Sequence, residues 1–152
     1  MLSNEIRTSI DSSVLCWLAT SSAENVPNVS PKEIFAPSGD DTILIANIAS
    51  PQSAANILAN PNVCVSLIDV LVQKGFQLKG TATIVRKDEN EFARLAEPLL
   101  TMTQGKFPFA TLFKVKVTNT KPIIAPRYLL YPETTEQQQI KAAKRVYGLA
   151  DL

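Results

Sequence analysis

The segment Asn47-Ile48-Ala49-Ser50-Pro51-Gln52-Ser53 carries the densest set of groups suited to holding an anion. Ser50 is a favourable helix N-cap and Pro51 a favourable first helical residue. Ala54, Ile57 and Leu58 then give one apolar face before Asn60-Pro61 ends the helix. The first turn of a helix offers unpaired backbone N–H groups and the positive end of the helix dipole, so Ser50 and Ser53 hydroxyls beside it suit a phosphate. An ordinary capped helix has the same local sequence. Upstream, Asn28, Ser30 and Lys32 recur at period two, which places all three on one face of a strand. Lys32 would add the formal charge that a helix end lacks, although a strand lysine also serves as a solvated edge guard.

Composition removes most competing chemistries. The chain has no histidine, so a Ser-His-Asp triad, a Cys-His pair, a His-rich zinc site and a histidine general base all lack their central group. Proton transfer falls to Lys, carboxylates, Tyr or a bound cofactor. Cys16 and Cys64 lie far apart in apolar runs, which excludes a CxxC pair or a metal knuckle and predicts buried, reduced thiols. No metal-ligand set is expected. Fifteen Lys+Arg against 14 Asp+Glu, scattered along the chain, leave no basic patch for nucleic acid or an anionic membrane. No stretch approaches the ~18 apolar residues of a membrane helix, and the N-terminus lacks a secretory pattern, so a reducing cytoplasm is the expected location. The 19% of charged residues falls below the usual ~25%, which predicts that some surface is covered by a partner.

These groups need a scaffold, and 152 residues suffice for one domain, 1–152, with its own core. Ser3, Ile6 and Ile10 predict a short amphipathic helix. VLCWLAT from Val14, VPNVSPKEIF, TILIANI, NVCVSLIDV, GFQLKGTATIV from Gly75 and ATLFKVKV read as six strands. Pro27 and Pro31 favour an edge or interrupted strand, TILIANI one buried on both faces, and Gly80 a bulge or close approach. A second inserted helix runs from Asp88 with Phe92, Leu95, Ala96 and Leu99 on one face. Prolines 122, 126 and 132 predict an irregular extended path. A polar helix from about Thr134 to Tyr147 follows, covering an edge or lying against another subunit. Consecutive strands without a βαβ rhythm predict a mainly β fold with peripheral helices, a small antiparallel barrel. Neither GxGxxG nor GxxxxGK[ST] is present.

In this order, the LAT strand, VSPK, ILIAN, SPQSAANILANPNV, QKGFQLKGTATIV and APRYLLYPETTEQQQIKAAKRVYG resemble the pyridoxamine 5'-phosphate oxidase-like family, in its FMN-binding branch. The resemblance runs from about Val14 to Gly148. It implies a six-stranded antiparallel split β-barrel and a homodimer that holds FMN at the subunit interface, with the C-terminal extension 121–152 packing there. It further implies cofactor contacts at Ser30, Pro31 and Lys32, at Ala46 and Asn47, at Ser50, Gln52 and Ser53 for the phosphate, and at Gln77 reaching from the partner subunit. Ser53→Asp is then expected to block flavin uptake with the fold intact. Two departures matter. Relatives commonly carry Arg or Lys where Gln52 stands, and the C-terminal Arg-x-His motif of the true oxidase is impossible without histidine. The implied function is an FMN-dependent oxidoreductase of unknown substrate, with catalytic residues unassigned. The alternatives are a flavin-binding or electron-carrier module without turnover, and a cofactor-free dimeric barrel. A deazaflavin or haem in place of FMN is a minor variant.

Overall fold

The structure is a computed structural model that describes residues 1–150, so the last two residues of the expected 1–152 domain lie outside the described residues. Helix α1 (Asn4–Ser12) is capped by Ser3, whose hydroxyl accepts from the Ile6 amide at 3.3 Å. It buries Ile6 and Ile10, as their spacing predicts. The strands are β1 (Cys16–Ser21), β2 (Pro27–Lys32), β3 (Phe35–Ser38), β4 (Thr42–Ala46), β5 (Asn62–Asp69), β6 (Lys74–Arg86) and β7 (Thr111–Ile124). Helix α2 (Pro51–Ala59) is inserted after β4, α3 (Phe92–Thr103) after β6, and α4 (Pro126–Leu130) and α5 (Glu136–Tyr147) close the chain.

All seven strands form one antiparallel sheet in the order β2-β1-β5-β6-β7-β4-β3. The outermost strands, β2 and β3, are joined only by Glu33 and Ile34. In a flat sheet they would stand about 29 Å apart, six spacings of ~4.8 Å. Three Cα steps span at most ~11 Å. The sheet therefore curls into a barrel that stays split between β2 and β3. This is where the strand count departs from the expected six: VPNVSPKEIF looks continuous because both halves are extended, yet the chain bends at Glu33-Ile34 and crosses from one edge to the other.

The core has two parts. Leu18, Ile43, Ile45, Val65, Leu78, Phe113 and Val115 fill the barrel, and α1 and α2 add Ile6, Ile10 and Ile57. Phe92, Leu95, Ala96 and Leu99 of α3 pack on Leu44, Ala46, Val85 and Leu112. Strand β4 lies between them and is buried on both faces from Ile43 to Ala46, as its unbroken apolar run predicts. Gly80 does mark an irregularity, because the β6–β7 register shifts between Lys79 and Gly80.

Four local expectations change. Helix α3 begins at Phe92 rather than Asp88, because the Glu89 carboxylate accepts from the Arg86 amide at 2.9 Å and holds a turn there. The path expected to be irregular is regular in two places: β7 runs paired through Pro122 to Ile124, and residues 126–130 form a short helix with Pro126 in its first turn and the Tyr128 hydroxyl donating to the Val72 carbonyl at 2.7 Å. Leu58 is 69% exposed, and Asn56 takes the buried place on α2 instead. Cys16 is buried, whereas Cys64 is only partly so. No helix among the described residues is long and apolar enough to cross a membrane.

Candidate functional site

The β1–β2 register pairs Lys32 with Cys16, Ser30 with Leu18 and Asn28 with Thr20. Cys16, Leu18 and Thr20 are buried, so all three β2 residues point to the inner face of the sheet, beneath α2. Lys32 is the outlier among the cations: it is 5% exposed and has no carboxylate within ion-pair distance among the described residues. Its Nζ donates to the Ser50 hydroxyl and lies 5.9 Å from the centroid of the Phe113 ring. Loss of hydration pushes the Lys32 pKa down, and the Cys16 thiol next to it only partly offsets this. Burial drives Cys16 itself up to about 12, so it is an inert thiol at neutral pH. An ammonium has three donors, and this one spends a single donor on a neutral hydroxyl.

Ser50 occupies the N-cap position of α2 but makes no capping bond; its hydroxyl serves Lys32 and donates to the Ile48 carbonyl at 3.2 Å. The first amides of α2 therefore lack a side-chain cap. Ala49 precedes it with φ 50°, a left-handed conformation that costs a non-glycine residue about 1 kcal/mol and turns the chain sharply into the helix. Asn47 is tied to the start of β7, its amide Nδ2 donating to the Thr111 hydroxyl at 2.9 Å. Gln52 donates to Asn56 Oδ1 at 2.8 Å, and Asn56 donates to Thr20 Oγ1 at 3.0 Å. The Asn56–Thr20 bond is buried and ties α2 to β1, while Gln52 lies at the exposed end of the relay. The polar i, i+4 pair Gln52/Asn56 was its only trace in the sequence.

Ser53 is 1% exposed and its hydroxyl has no hydrogen-bond partner among the described residues. This revises the meaning of Ser53→Asp. A carboxylate there would be buried without a counter-charge, so the variant is expected to lose several kcal/mol of stability in urea unfolding whether or not ligand is present. Ser53→Ala, which removes only an unsatisfied hydroxyl, is expected to change stability by less than about 1 kcal/mol.

A cleft of about 220 Å³ opens at the barrel's split, lined by Pro31, Lys32, Glu33, Ile34, Ala46, Ile48 and Phe107. Pro31, Lys32 and Ala46 thus meet in one place, and Lys32 links the cleft to Ser50 at the head of α2. Ser30 lies two residues upstream on the same inner face. Gln77 does not join them. Register pairing aligns Pro31, Trp17, Ser66, Gln77 and Lys121 in a row across five strands, on the face opposite to Lys32. Glu33, Ile34, Ile48 and Phe107 are cleft residues that motif reasoning missed, because nothing local connects the loop after α3 with the end of β2. One buried cation beside Pro31, Ile34, Ala46, Ile48 and Phe107, with Glu33 also in the lining, suits an amphipathic ligand whose anionic group lies at Lys32.

A sequence model of the pyridoxamine 5'-phosphate oxidase family matches residues 2–131. No curated protein matches the chain. Among solved structures, HupZ of Group A Streptococcus has a TM-score of 0.70 at 21% identity, over 82% of this chain and 96% of that one. An FMN-binding protein from Syntrophomonas wolfei gives 0.68 at 20% identity, over 80% and 85%. HutZ, the heme storage protein of Vibrio cholerae, gives 0.64 at 18%, over 81% and 94%. At these identities the likeness is one of fold.

Proposed function

The chain belongs to the pyridoxamine 5'-phosphate oxidase family, and from that premise we propose that it binds FMN as an oxidoreductase acting on a substrate other than pyridoxamine phosphate. The observation that carries this reading is Lys32: a buried ammonium without a carboxylate partner among the described residues, held at the uncapped start of a helix. A phosphate supplies the missing counter-charge and accepts from both the ammonium and the free amides. The unpaired Ser53 hydroxyl is further unspent hydrogen-bonding capacity in the same helical turn.

In this reading Lys32, Ser50 and the first amides of α2 hold the phosphate. Pro31, Ile34, Ala46 and Ile48 exclude water from the adjoining surface. FMN, when bound, supplies hydride or electron transfer. Gln52 gives no positive charge where relatives commonly have one, and its hydrogen bond to Asn56 directs it along the helix. A neutral hydrogen bond contributes ~0.5–1.5 kcal/mol against ~1.5–3 for a charged one, so FMN is held about tenfold more weakly than with a basic residue there. Without histidine, the true oxidase's substrate motif has no equivalent, which is why another substrate is assigned. Two thiols on opposite faces of the sheet, one buried and one partly so, suit a reducing cytoplasm.

The partner in this reading is a second copy of the chain. A cleft of about 220 Å³ is smaller than the ~300–1,000 Å³ usual for small-molecule pockets, so one chain gives only part of a site. The outer row that includes Gln77 also carries Trp17, 45% exposed, and such a residue is a typical interface anchor. Purified protein is expected to show the near-ultraviolet and visible absorption bands of oxidised flavin, or to acquire them with added FMN, and to sediment as a dimer. Trp17→Asp is expected to sediment as a monomer and to lose flavin. A wild-type protein that neither carries FMN nor quenches its fluorescence refutes the reading. Anaerobic bleaching by NADH or NADPH distinguishes an oxidoreductase from a carrier reduced only by a protein donor.

A further inference from the structure

Resting on the phosphate placement above, we propose that Phe107 is the ring-contact residue of the cleft: it packs on the flat conjugated ring of a phosphorylated ligand whose charged end lies at Lys32. Phe107 is the one aromatic residue among those lining the cleft, and it is 53% exposed. Its position is built rather than incidental. On one side α3 ends in consecutive left-handed residues, Gln104 at φ 51° and Gly105 at φ 72°. The Thr103 hydroxyl, on a buried residue, donates to the Leu100 carbonyl at 2.9 Å and accepts from the Gly105 amide at 3.3 Å. A Cβ at Gly105 would meet nothing within 4 Å, so glycine serves the backbone turn there and not close packing. On the other side Phe109 is anchored against Phe92, with ring centroids 6.1 Å apart.

Two anchors four and two residues away thus hold an unburied phenyl at the mouth of a cleft otherwise lined by aliphatic and charged groups. A phenyl left half in water forgoes burial that a ligand ring restores, and its quadrupole favours offset stacking on another π system over packing on a sugar or an aliphatic chain. Lys32 then reads the anion while Phe107 selects the ring.

The test measures binding of FMN, riboflavin and inorganic phosphate to full-length wild type, Phe107→Ala, Phe107→Tyr and Lys32→Met by flavin fluorescence quenching, with phosphate as competitor. Loss of a stacking partner is expected to weaken FMN and riboflavin alike in Phe107→Ala, by about tenfold. Phosphate should compete with an unchanged inhibition constant, and Phe107→Tyr should restore wild-type affinity. Phe107→Ala binding both flavins within about twofold of wild type overturns the inference, and so does a parallel loss of phosphate competition, which would mean that the residue acts through Lys32. Lys32→Met is expected to weaken FMN but not riboflavin. If it binds FMN as tightly as wild type, the phosphate placement fails, and the ring contact at this cleft fails with it. Phe107→Ala alone behaving as wild type leaves the phosphate placement standing.

Discussion

Lys32→Met is expected to raise the melting temperature of the ligand-free protein and, in the same variant, to weaken FMN binding by tenfold to a hundredfold. The two effects have one cause. A buried ammonium loses hydration and regains only a hydroxyl contact and a distant aromatic face. Methionine fills similar volume without that cost, so the ligand-free fold gains about 1 kcal/mol, which is ~2–4 °C for a chain of this size. The same substitution removes a charge-assisted contact to phosphate of ~1.5–3 kcal/mol, which converts to the stated loss of affinity.

The pH dependence follows from the direction of the Lys32 shift. Its folded pKa lies below the ordinary 10.5. At pH values below the folded pKa the side chain is charged in both states and the burial cost is present in full. As pH rises from there toward 10.5, the folded chain gives up its proton first and the ligand-free wild type gains stability relative to Lys32→Met. FMN affinity moves the other way in that window, because the neutral amine no longer balances the phosphate. Thermal scans and FMN titrations of both proteins across this alkaline range check the argument. A Lys32→Met variant that is less stable than wild type and keeps its FMN affinity would show that the lysine is a structural element only.

Gly80→Ala is expected to have the larger effect on the fold, leaving the protein unfolded or insoluble at ordinary temperature. A Cβ on residue 80 would lie 1.9 Å from the Lys116 carbonyl oxygen and 3.0 Å from the Val117 Cα, both backbone atoms. No rotamer change relieves a clash with backbone, so β6 and β7 must separate where Gly80 pairs with Val117 and Thr81 with Lys116. That pairing continues through Arg86 and Thr111, and the same β7 carries Phe113 and Val115 into the barrel core. The cost therefore exceeds the ~1–3 kcal/mol of ordinary overpacking and reaches a large share of the ~5–15 kcal/mol that holds a domain folded. Far-ultraviolet circular dichroism and urea unfolding report it directly. A soluble variant within 1 kcal/mol of wild type would show that the bulge re-registers easily.

Where one element carries its own burial pattern, the sequence alone determined the outcome. The unbroken apolar run of TILIA made β4 a strand covered on both sides, Ser50-Pro51 opened α2, and Gly80 announced a close approach. Alternation put Asn28, Ser30 and Lys32 on one face. Tertiary structure decided which faces meet. Lys32 is buried and not an edge guard because the sheet curls and α2 covers β2. Ser53 points into the protein because Asn56 and Ile57, rather than Leu58, define the buried side of α2. VPNVSPKEIF breaks at Glu33-Ile34 because barrel geometry requires a crossing there, and both sides of the break look equally extended. Phe107 lines the same cleft as Lys32 across a distance in sequence that no period spans. Periodicity records which side of an element avoids water, whereas a site arises from pairings between distant segments, and those depend on the curl of the whole sheet.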